Sequence, residues 1–281
     1  MSKLSKFAPN RVWVVTGAAS GIGLEMVRAL LECRAVVWAL DVDEDGLTKL
    51  MTEAMQNGRD VFTQVADVTN CERMVEVIAG IIKKSKKIDV WINNAGIQKI
   101  APFVTQDPTV FTQIMRVNFE SVVNMTRLML QQMDHQGDGV ILNMASVAGH
   151  VPAPFMTSYV ASKHAVIGFS RALRAELILM KSPVRCAIAS PGFVNTGIIE
   201  RGRESGFPEW LSWLLANPKD CARETLAELS AGNDEIEPTI GGRAMTTAFR
   251  WLPTITVRSS RVLLTRGLRD LFLNRYHVPK G

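Results

Sequence analysis

The sequence has little cysteine and no long apolar run. Its four cysteines, Cys33, Cys71, Cys186 and Cys221, lie far apart and form no C-x-x-C pair. This spacing fits neither a disulfide framework nor a zinc site, and it indicates a reducing compartment. No apolar run is long enough to span a bilayer, and the N-terminus lacks the apolar core of a signal peptide. We therefore expect a cytoplasmic protein.

Histidine clusters, internal repeats and linkers are also missing. The four histidines are scattered along the 281 residues, so we expect no metal site. A content of 47% hydrophobic and 21% charged residues is ordinary for a globular chain and argues against disorder. Because no Pro/Gly/Ser-rich linker occurs before about residue 197, we predict a single domain over residues 1–242. Its residues from about 197 to 235, where the pattern loosens, are expected to form a substrate lid.

Positive charge is concentrated at the C-terminus. Residues 243–281 carry seven arginines and one lysine against one acid, a net charge of +7, whereas residues 1–242 carry −2. The nearly neutral body argues against nucleic-acid binding. Two interpretations of this basic, amphipathic C-terminal extension stay open. It packs on the body or on a neighbouring subunit, or it lies on an anionic membrane surface, which would make the protein peripheral on the cytoplasmic face.

Short apolar runs alternate with stretches of helical periodicity. The predicted strands cover residues 11–17, 35–42, 61–68, 88–96, 139–146 and 184–192, and the predicted helices cover residues 20–32, 43–57, 70–83, 108–134 and 158–180. Strands that are apolar throughout and alternate with helices are typical of βαβ units around a parallel sheet. We therefore predict an α/β fold with a doubly wound parallel sheet and helices on both faces.

A glycine-rich turn joins the first predicted strand to the first helix. In "TGAASGIG", Gly17 suits a tight turn, Gly21 lets the backbone approach a phosphate, and Gly23 permits close helix–strand packing. Asp41 ends the second predicted strand, where a carboxylate can accept both ribose hydroxyls of an adenosine and repel a 2′-phosphate. No basic residue follows within two positions, although a solvated helix-capping acid is the plainer alternative. We predict NAD rather than NADP as the cofactor.

Tyr159 and Lys163 stand four residues apart in "SYVASKHAV". On a helix this spacing makes two side chains neighbours on one face. A nearby ammonium group favours the phenolate, so we expect Lys163 to lower the pKa of Tyr159 towards the range that suits proton transfer.

With the glycine turn, Asp41, "NNAG" (93–96) and the Tyr159/Lys163 pair, the chain resembles the short-chain dehydrogenase/reductase family over roughly residues 11–197. Three residues separate its first two glycines, as in the ordinary single-domain members. The resemblance implies seven parallel strands and the interconversion of a secondary alcohol and a ketone with NAD. It also implies a homodimer or homotetramer, paired through the helices at 108–134 and 158–180.

The resemblance assigns roles to individual residues. Tyr159 would be the general acid/base, and Lys163 would stabilise its tyrosinate and hold the nicotinamide ribose. Ser146 would hydrogen-bond the substrate oxygen, and Asn118 would hold a water for proton relay. The residues expected at the cofactor are Tyr159 and Lys163 together with Gly17, Ser20, Gly21, Ile22, Gly23, Asp41, Asp67, Val68, Asn94, Ala95, Gly96, Pro191, Gly192, Val194 and Thr196.

The substrate is expected to be a medium-sized apolar alcohol or ketone, such as a steroid-like, terpenoid or aryl compound. The residues expected around it are Ser146, Tyr159, Gln98, His150, Phe193, Trp210 and Trp213. The two tryptophans share an apolar helix face, which fits either core packing or a lid over an apolar substrate. Two other functions remain open. One is a 3-oxoacyl reductase, which Asp41 disfavours because such members usually prefer NADP. The other is a non-catalytic NAD-binding sensor or scaffold, which should have lost one of the four catalytic residues.

Overall fold

The computed structural model describes residues 3–194 and 216–251. In these residues, seven strands form one sheet in which every neighbouring pair is parallel. The strands are β1 (Val12–Thr16), β2 (Val36–Asp41), β3 (Phe62–Val65), β4 (Val90–Asn93), β5 (Gly139–Met144), β6 (Val184–Ala189) and β7 (Glu235–Ile236). Their order across the sheet is β3-β2-β1-β4-β5-β6-β7. The predicted doubly wound α/β fold is confirmed.

Helices cover both faces of this sheet. Those in the described residues are α1 (Lys3–Phe7), α2 (Gly21–Glu32), α3 (Glu44–Gln56), α4 (Cys71–Ser85), α5 (Pro108–Met115), α6 (Ser121–Gln136), α7 (Thr157–Leu179), α8 (Pro218–Ser230) and α9 (Ile240–Trp251). Helices α1, α2, α3 and α8 contribute to the core on one face, and α4 and α6 to the core on the other. Helix α7 packs beside β5 and β6. The helix predicted at 108–134 is divided into α5 and α6 by a π-helical turn.

The central strands β1, β4 and β5 are buried along their whole length. Successive side chains of a strand point to opposite faces, and the two apolar layers that result include Trp13 and Met26 on one side and Trp91 and Met125 on the other. Burying each such side chain stabilises the fold by about 1.5–3 kcal/mol. These two apolar layers fix the carboxyl ends of the central strands, where the candidate site lies.

Residues 218–236 belong to the body of the domain rather than to a lid. Helix α8 packs against α2 and buries Leu226 and Leu229 in the core, and β7 extends the sheet beside β6. The predicted lid at 197–235 is therefore wrong over this part, because the apolar stripe of α8 is used for packing. The remaining lid residues, including Trp210 and Trp213, lie outside the described residues.

The domain boundary predicted after residue 242 falls inside α9. Gly242 is buried, and a Cβ added there would lie 3.1 Å from the backbone nitrogen of Gly192. Because α9 begins in contact with the body, the extension does not begin at residue 243. Residues 252–281 lie outside the described part of the chain. Among the described helices, none combines the length and the apolar character that crossing a membrane requires.

Candidate active site

A cavity of about 560 Å³ opens at the carboxyl ends of the strands. It lies beside the point between β1 and β4 where the strand order reverses, which is where doubly wound sheets bind ligands. The predicted cofactor residues that line it are Gly17, Ser20, Gly21, Ile22, Asp41, Asp67, Val68, Asn94, Ala95, Gly96, Tyr159, Lys163, Pro191, Gly192 and Val194. Thr196 lies outside the described residues.

The turn between β1 and α2 requires its glycines for different reasons. Gly17 and Gly21 have φ angles of 64° and 56°, in the left-handed region that favours glycine. Gly23 does not line the cavity, and a Cβ there would lie only 2.1 Å from the carbonyl oxygen of Gly17. Gly23 therefore allows α2 to approach the turn closely. This packing directs the N-terminal N–H groups of α2 at the cavity, an arrangement that suits a pyrophosphate.

Side chains of Thr16 and Asn94 connect the glycine turn to the loop after β4. The Asn94 amide donates to the carbonyl oxygens of Thr16 and Gly17 at 2.9 and 3.0 Å. The Thr16 hydroxyl accepts from the backbone nitrogens of Asn94 and Ala95 at 3.0 and 3.1 Å. The two loops that would enclose a dinucleotide are thus held together by hydrogen bonds of the protein itself.

Acidic side chains mark the adenosine end of the cavity. Asp41 ends β2, and its two carboxylate oxygens accept from the backbone nitrogens of Ala19 and Asp43 at 2.9 and 3.0 Å. Asp67 lies on the same wall and accepts from the backbone nitrogen of Thr69 at 2.8 Å. No arginine is among the described lining residues, and their one lysine, Lys163, follows Tyr159 by one helical turn. A 2′-phosphate at this end would therefore face carboxylates.

Ser146, Tyr159 and Lys163 meet at the other end of the cavity. Ser146 lies two residues after the end of β5, where its hydroxyl hydrogen-bonds Tyr159. Lys163 extends along α7 on the side of Tyr159, with its Nζ 5.7 Å from the centre of the tyrosine ring. Its ammonium donates to the carbonyl oxygen of Met144 at 2.8 Å. A phenol, a hydroxyl and a buried ammonium group can together bind and protonate a carbonyl oxygen.

Burial controls the protonation of this cluster. It raises the pKa of the Tyr159 phenol, and the hydrogen bond from Ser146 offsets this only in part. Burial also lowers the pKa of Lys163 to about 8. Burial thus sets the net direction of the Tyr159 pKa, and the expectation that Lys163 lowers this pKa stays a prediction. Desolvation dominates, and the ammonium points at the Met144 carbonyl.

Asn118 lies in the π-helical turn Arg116–Glu120 and is fully buried. Its side-chain oxygen accepts from the backbone nitrogen of Ile97 at 2.8 Å. Its amide nitrogen donates to the Ile97 carbonyl at 2.9 Å and to the Ser162 hydroxyl at 3.1 Å. Both N–H groups are thus used, and only the oxygen has a lone pair left for a water. Asn118 anchors the loop after β4 to α7, and its role in proton relay stays a prediction.

The predicted substrate residues divide into three groups. Gln98 and Phe193 line the cavity with Ser146 and Tyr159, and the two tryptophans lie outside the described residues. His150 does not line the cavity, so that prediction is wrong: its Nε2 lies 3.0 Å from the hydroxyl of Ser190. Ala153, in the loop 147–155 that the sequence also indicated as a wall of the site, lines the cavity, and the lining residues that the sequence did not indicate at this end are Ile97, Ile100, Gln113, Val117 and Met156. Gln113 and Val117 share the helical spacing of i and i+4, which is the one pattern that could have pointed to them.

Known proteins share this fold and these motifs. The family model for short chain dehydrogenase matches residues 11–205. The chain is 34% identical over 192 residues to the 3-oxoacyl-[acyl-carrier-protein] reductase FabG of Thermotoga maritima, covering 68% of this chain and 77% of the relative. It is 33% identical over 197 residues to the 15-hydroxyprostaglandin dehydrogenase [NAD(+)] of Mus musculus, covering 68% and 70%.

One solved structure has a similar fold over nearly the whole length of both chains. It is a short chain dehydrogenase/reductase from Burkholderia phymatum in complex with NAD, with a TM-score of 0.76 and 25% identity, covering 92% of this chain and 96% of that one. The family match extends over more than half of the sequence and includes the glycine turn, Asp41, Ser146, Tyr159 and Lys163. The chain therefore belongs to the short-chain dehydrogenase/reductase family of oxidoreductases.

Proposed function

We propose that this protein interconverts a secondary alcohol and a ketone with NAD(H). The observation that carries the proposal is a single cavity with Ser146, Tyr159 and Lys163 at one end and Asp41 at the other. A bound nicotinamide would supply or accept the hydride, which is chemistry that no side chain provides. The glycine turn and Asp41 would hold the cofactor, and the three residues at the other end would handle the substrate oxygen.

In the reduction direction, Tyr159 donates its phenolic proton to the substrate oxygen. Ser146 hydrogen-bonds the same oxygen and stabilises the charge that develops on it. Lys163 stabilises the tyrosinate that remains, because a buried positive charge favours the anion. The oxidation direction reverses these transfers, with the tyrosinate as the base.

The substrate end favours a neutral, apolar compound. Its additional lining residues are mainly apolar, and Gln98 and Gln113 are neutral polar residues among them. Among the described residues at this end, Lys163 is the charged one, and its ammonium is bonded to Met144. The name of the mouse relative specifies a hydroxyprostaglandin, which is a secondary alcohol on a largely hydrocarbon molecule. These features support a steroid-like, terpenoid or aryl alcohol as the substrate.

The test is a screen for NADH formation over secondary alcohols of these three classes, with Tyr159→Phe as the inactive control. A 3-oxoacyl reductase is the second candidate, supported by the Thermotoga relative. It is tested in parallel with a 3-oxoacyl thioester and NADPH. Tight NAD binding without turnover of any compound would favour a sensor or scaffold and contradict the proposal.

We expect Asp41 to determine the coenzyme. Asp41→Ala should weaken NADH binding and strengthen NADPH binding, because it removes a ribose acceptor and a repelling charge. The preference should shift by about 1.4–2.7 kcal/mol, or roughly ten- to a hundredfold. Fluorescence titration of both coenzymes measures it. Asp43→Ala is the matched control, since Asp43 is adjacent but does not line the cavity. Tighter binding of NADPH than NADH by the wild type would overturn the assignment.

We propose a homo-oligomer formed through α6 and α7. The small residues Ala161, Gly168, Ala172 and Ala175 are exposed on α7 and permit close approach of a second helix. Leu179 at the end of α7 and Met180 just after it are also exposed. Sedimentation velocity at micromolar concentration should give a dimer or tetramer. A Leu179→Glu variant should shift it towards monomer, whereas Lys181→Glu, also exposed, should not. A monomeric wild type would contradict the proposal.

We propose further that the basic C-terminal extension contacts an anionic membrane surface. Its described residues lie in α9 and include Arg243, Arg250 and exposed Trp251 but no acid. Arg243 pairs with Glu224, which also supports packing on the body. The full chain should sediment with phosphatidylglycerol liposomes at low salt, and a variant with the five arginines of residues 252–281 changed to glutamine should not. Equal sedimentation of both would overturn it.

A further inference from the structure

A short helical turn carries the Ser146 hydroxyl into the site. The turn Val147–Gly149 follows Ser146 directly, and the Ser146 side chain caps it by accepting from the backbone nitrogen of Ala148 at 3.2 Å. His150 ends the turn. Its Nε2 lies 3.0 Å from the hydroxyl of Ser190, which is 4% exposed. A side chain four residues after Ser146 therefore reaches the segment that follows the neighbouring strand β6.

Two further contacts confine this turn. A Cβ added at Gly149 would lie 2.8 Å from the carbonyl oxygen of Lys163, so the turn packs directly on α7. On its other side, the backbone nitrogen of Val147 donates to the Pro191 carbonyl at 2.7 Å. The turn is thus enclosed between the helix that bears the catalytic lysine and the segment Ser190–Gly192.

In the segment Ser190–Gly192, Pro191 and Gly192 line the cofactor-facing wall. Hydrogen bonds to elements on the side away from Ser146 hold this segment in place. The backbone nitrogen of Ser190 donates to the Ile236 carbonyl at 2.7 Å, and that of Gly192 donates to the Thr239 hydroxyl at 2.8 Å. These bonds fix the segment to β7 and to the start of α9. The His150 side chain adds a bond from the side of Ser146.

The surroundings of His150 favour its neutral form. Burial lowers its pKa, and the charge of Arg171 on α7 lowers it further. Glu235 on β7 acts in the opposite direction, and His164 on α7 adds a smaller lowering. A neutral imidazole offers one donor and one acceptor, so its Nε2 can pair with the Ser190 hydroxyl in either tautomer.

We propose that His150 is a positioning residue for the reaction. Its hydrogen bond to Ser190 sets the separation between the Ser146 hydroxyl and the cofactor-facing wall at Pro191 and Gly192. It acts through Ser190, because it does not line the cavity itself. The assignment rests on the proposed alcohol–ketone chemistry, in which the substrate oxygen and the hydride-exchanging carbon must be held at a fixed distance.

The test compares three replacements of His150 in the full-length enzyme. His150→Phe keeps a ring but removes both nitrogens, and we expect kcat to fall about tenfold, equivalent to about 1.4 kcal/mol. KM and the NADH dissociation constant should change by less than about threefold, a fraction of that energy. His150→Gln should restore kcat, because its amide nitrogen is as many bonds from Cβ as Nε2 is. His150→Asn is too short to reach Ser190 and should not restore it.

A double-mutant cycle with Ser190→Ala completes the test. Ser190→Ala should reproduce the loss, and the double variant His150→Phe/Ser190→Ala should lose no more than either single variant. Additive losses, a failure of His150→Gln to rescue, or an unchanged kcat in His150→Phe would each overturn the assignment while leaving the proposed function intact. A wild type without turnover of any alcohol would overturn the proposed function and this assignment together.

Discussion

Tyr159→Phe is expected to lower kcat by about 10²- to 10⁴-fold while leaving NADH affinity nearly unchanged. The replacement removes only the phenolic oxygen, which is the group that exchanges a proton with the substrate. The ring that lies 5.7 Å from Lys163 remains, so the shape of the cavity is preserved. Ser146 would keep its bond to the Ala148 backbone and so remain in place. The defect should therefore appear in the proton-transfer step.

Steady-state rates and NADH fluorescence titration measure the two effects separately. Thr157→Val is the matched control, because it removes an exposed hydroxyl from the first turn of the same helix. That variant should retain full activity. Wild-type turnover by Tyr159→Phe would show that another group transfers the proton and would refute the mechanism.

Lys163→Met should abolish turnover yet make the cofactor-free protein more stable at neutral pH. Lys163 is 4% exposed, and burial lowers its pKa from 10.5 to about 8. That difference corresponds to a penalty of about 3 kcal/mol for keeping the charge in the folded protein. Methionine removes the penalty and fills much the same volume. Loss of the hydrogen bond to the Met144 carbonyl costs about 1 kcal/mol, so a net gain of about 2 kcal/mol is expected.

The pH dependence of the stability difference distinguishes removal of the buried charge from an effect of better packing. Between pH 8 and 10.5 the unfolded chain holds a proton on Lys163 that the folded protein has released. The contribution of Lys163 to wild-type stability therefore rises with pH. The penalty is complete below pH 8 and absent above 10.5. Lys163→Met should therefore be the more stable protein at neutral pH and lose its advantage near pH 10.5.

Urea unfolding at several pH values measures this difference. Lys83→Met is the control, since Lys83 is exposed on α4 and its replacement should change stability little at any pH. A Lys163→Met protein that is less stable than the wild type at neutral pH would show that the charge is not the main cost of burying this residue. Such a trade between stability and activity is common for buried catalytic groups.

The sequence predicted the fold well where local pattern and tertiary packing agree. The apolar runs of β1, β4 and β5 are buried on both faces, so composition alone marked them as strands of a parallel sheet. Strand β7 has only two residues, one of them exposed, and the family resemblance alone implied it. Helix α8 was wrongly predicted as part of a lid, because an amphipathic pattern predicts an apolar helix face but not the surface against which that face packs.

The same distinction between local pattern and tertiary packing applies to the candidate site. The glycine turn and the Tyr159/Lys163 pair depend on local geometry, and spacing along the chain predicted their placement. The direction of the His150 side chain depends on how the turn Val147–Gly149 packs against α7. Residue spacing along the chain does not predict that packing. The raised pKa of Tyr159 likewise follows from three-dimensional burial rather than from its sequence neighbours.

The π-helical turn Arg116–Glu120 winds one extra residue into an otherwise continuous helix. Five residues of π-helix turn the chain about as far as four residues of α-helix, so the turn absorbs the extra residue and leaves α5 and α6 nearly in phase. Helix α6 stays anchored by Met125, Met129 and Met133 in the core, and Gln113 of α5 still lines the cavity. The helix widens only around Asn118, whose side chain bonds Ile97 and Ser162. A deletion that restored regular α-helix here would therefore release the loop after β4 while moving the two helices little.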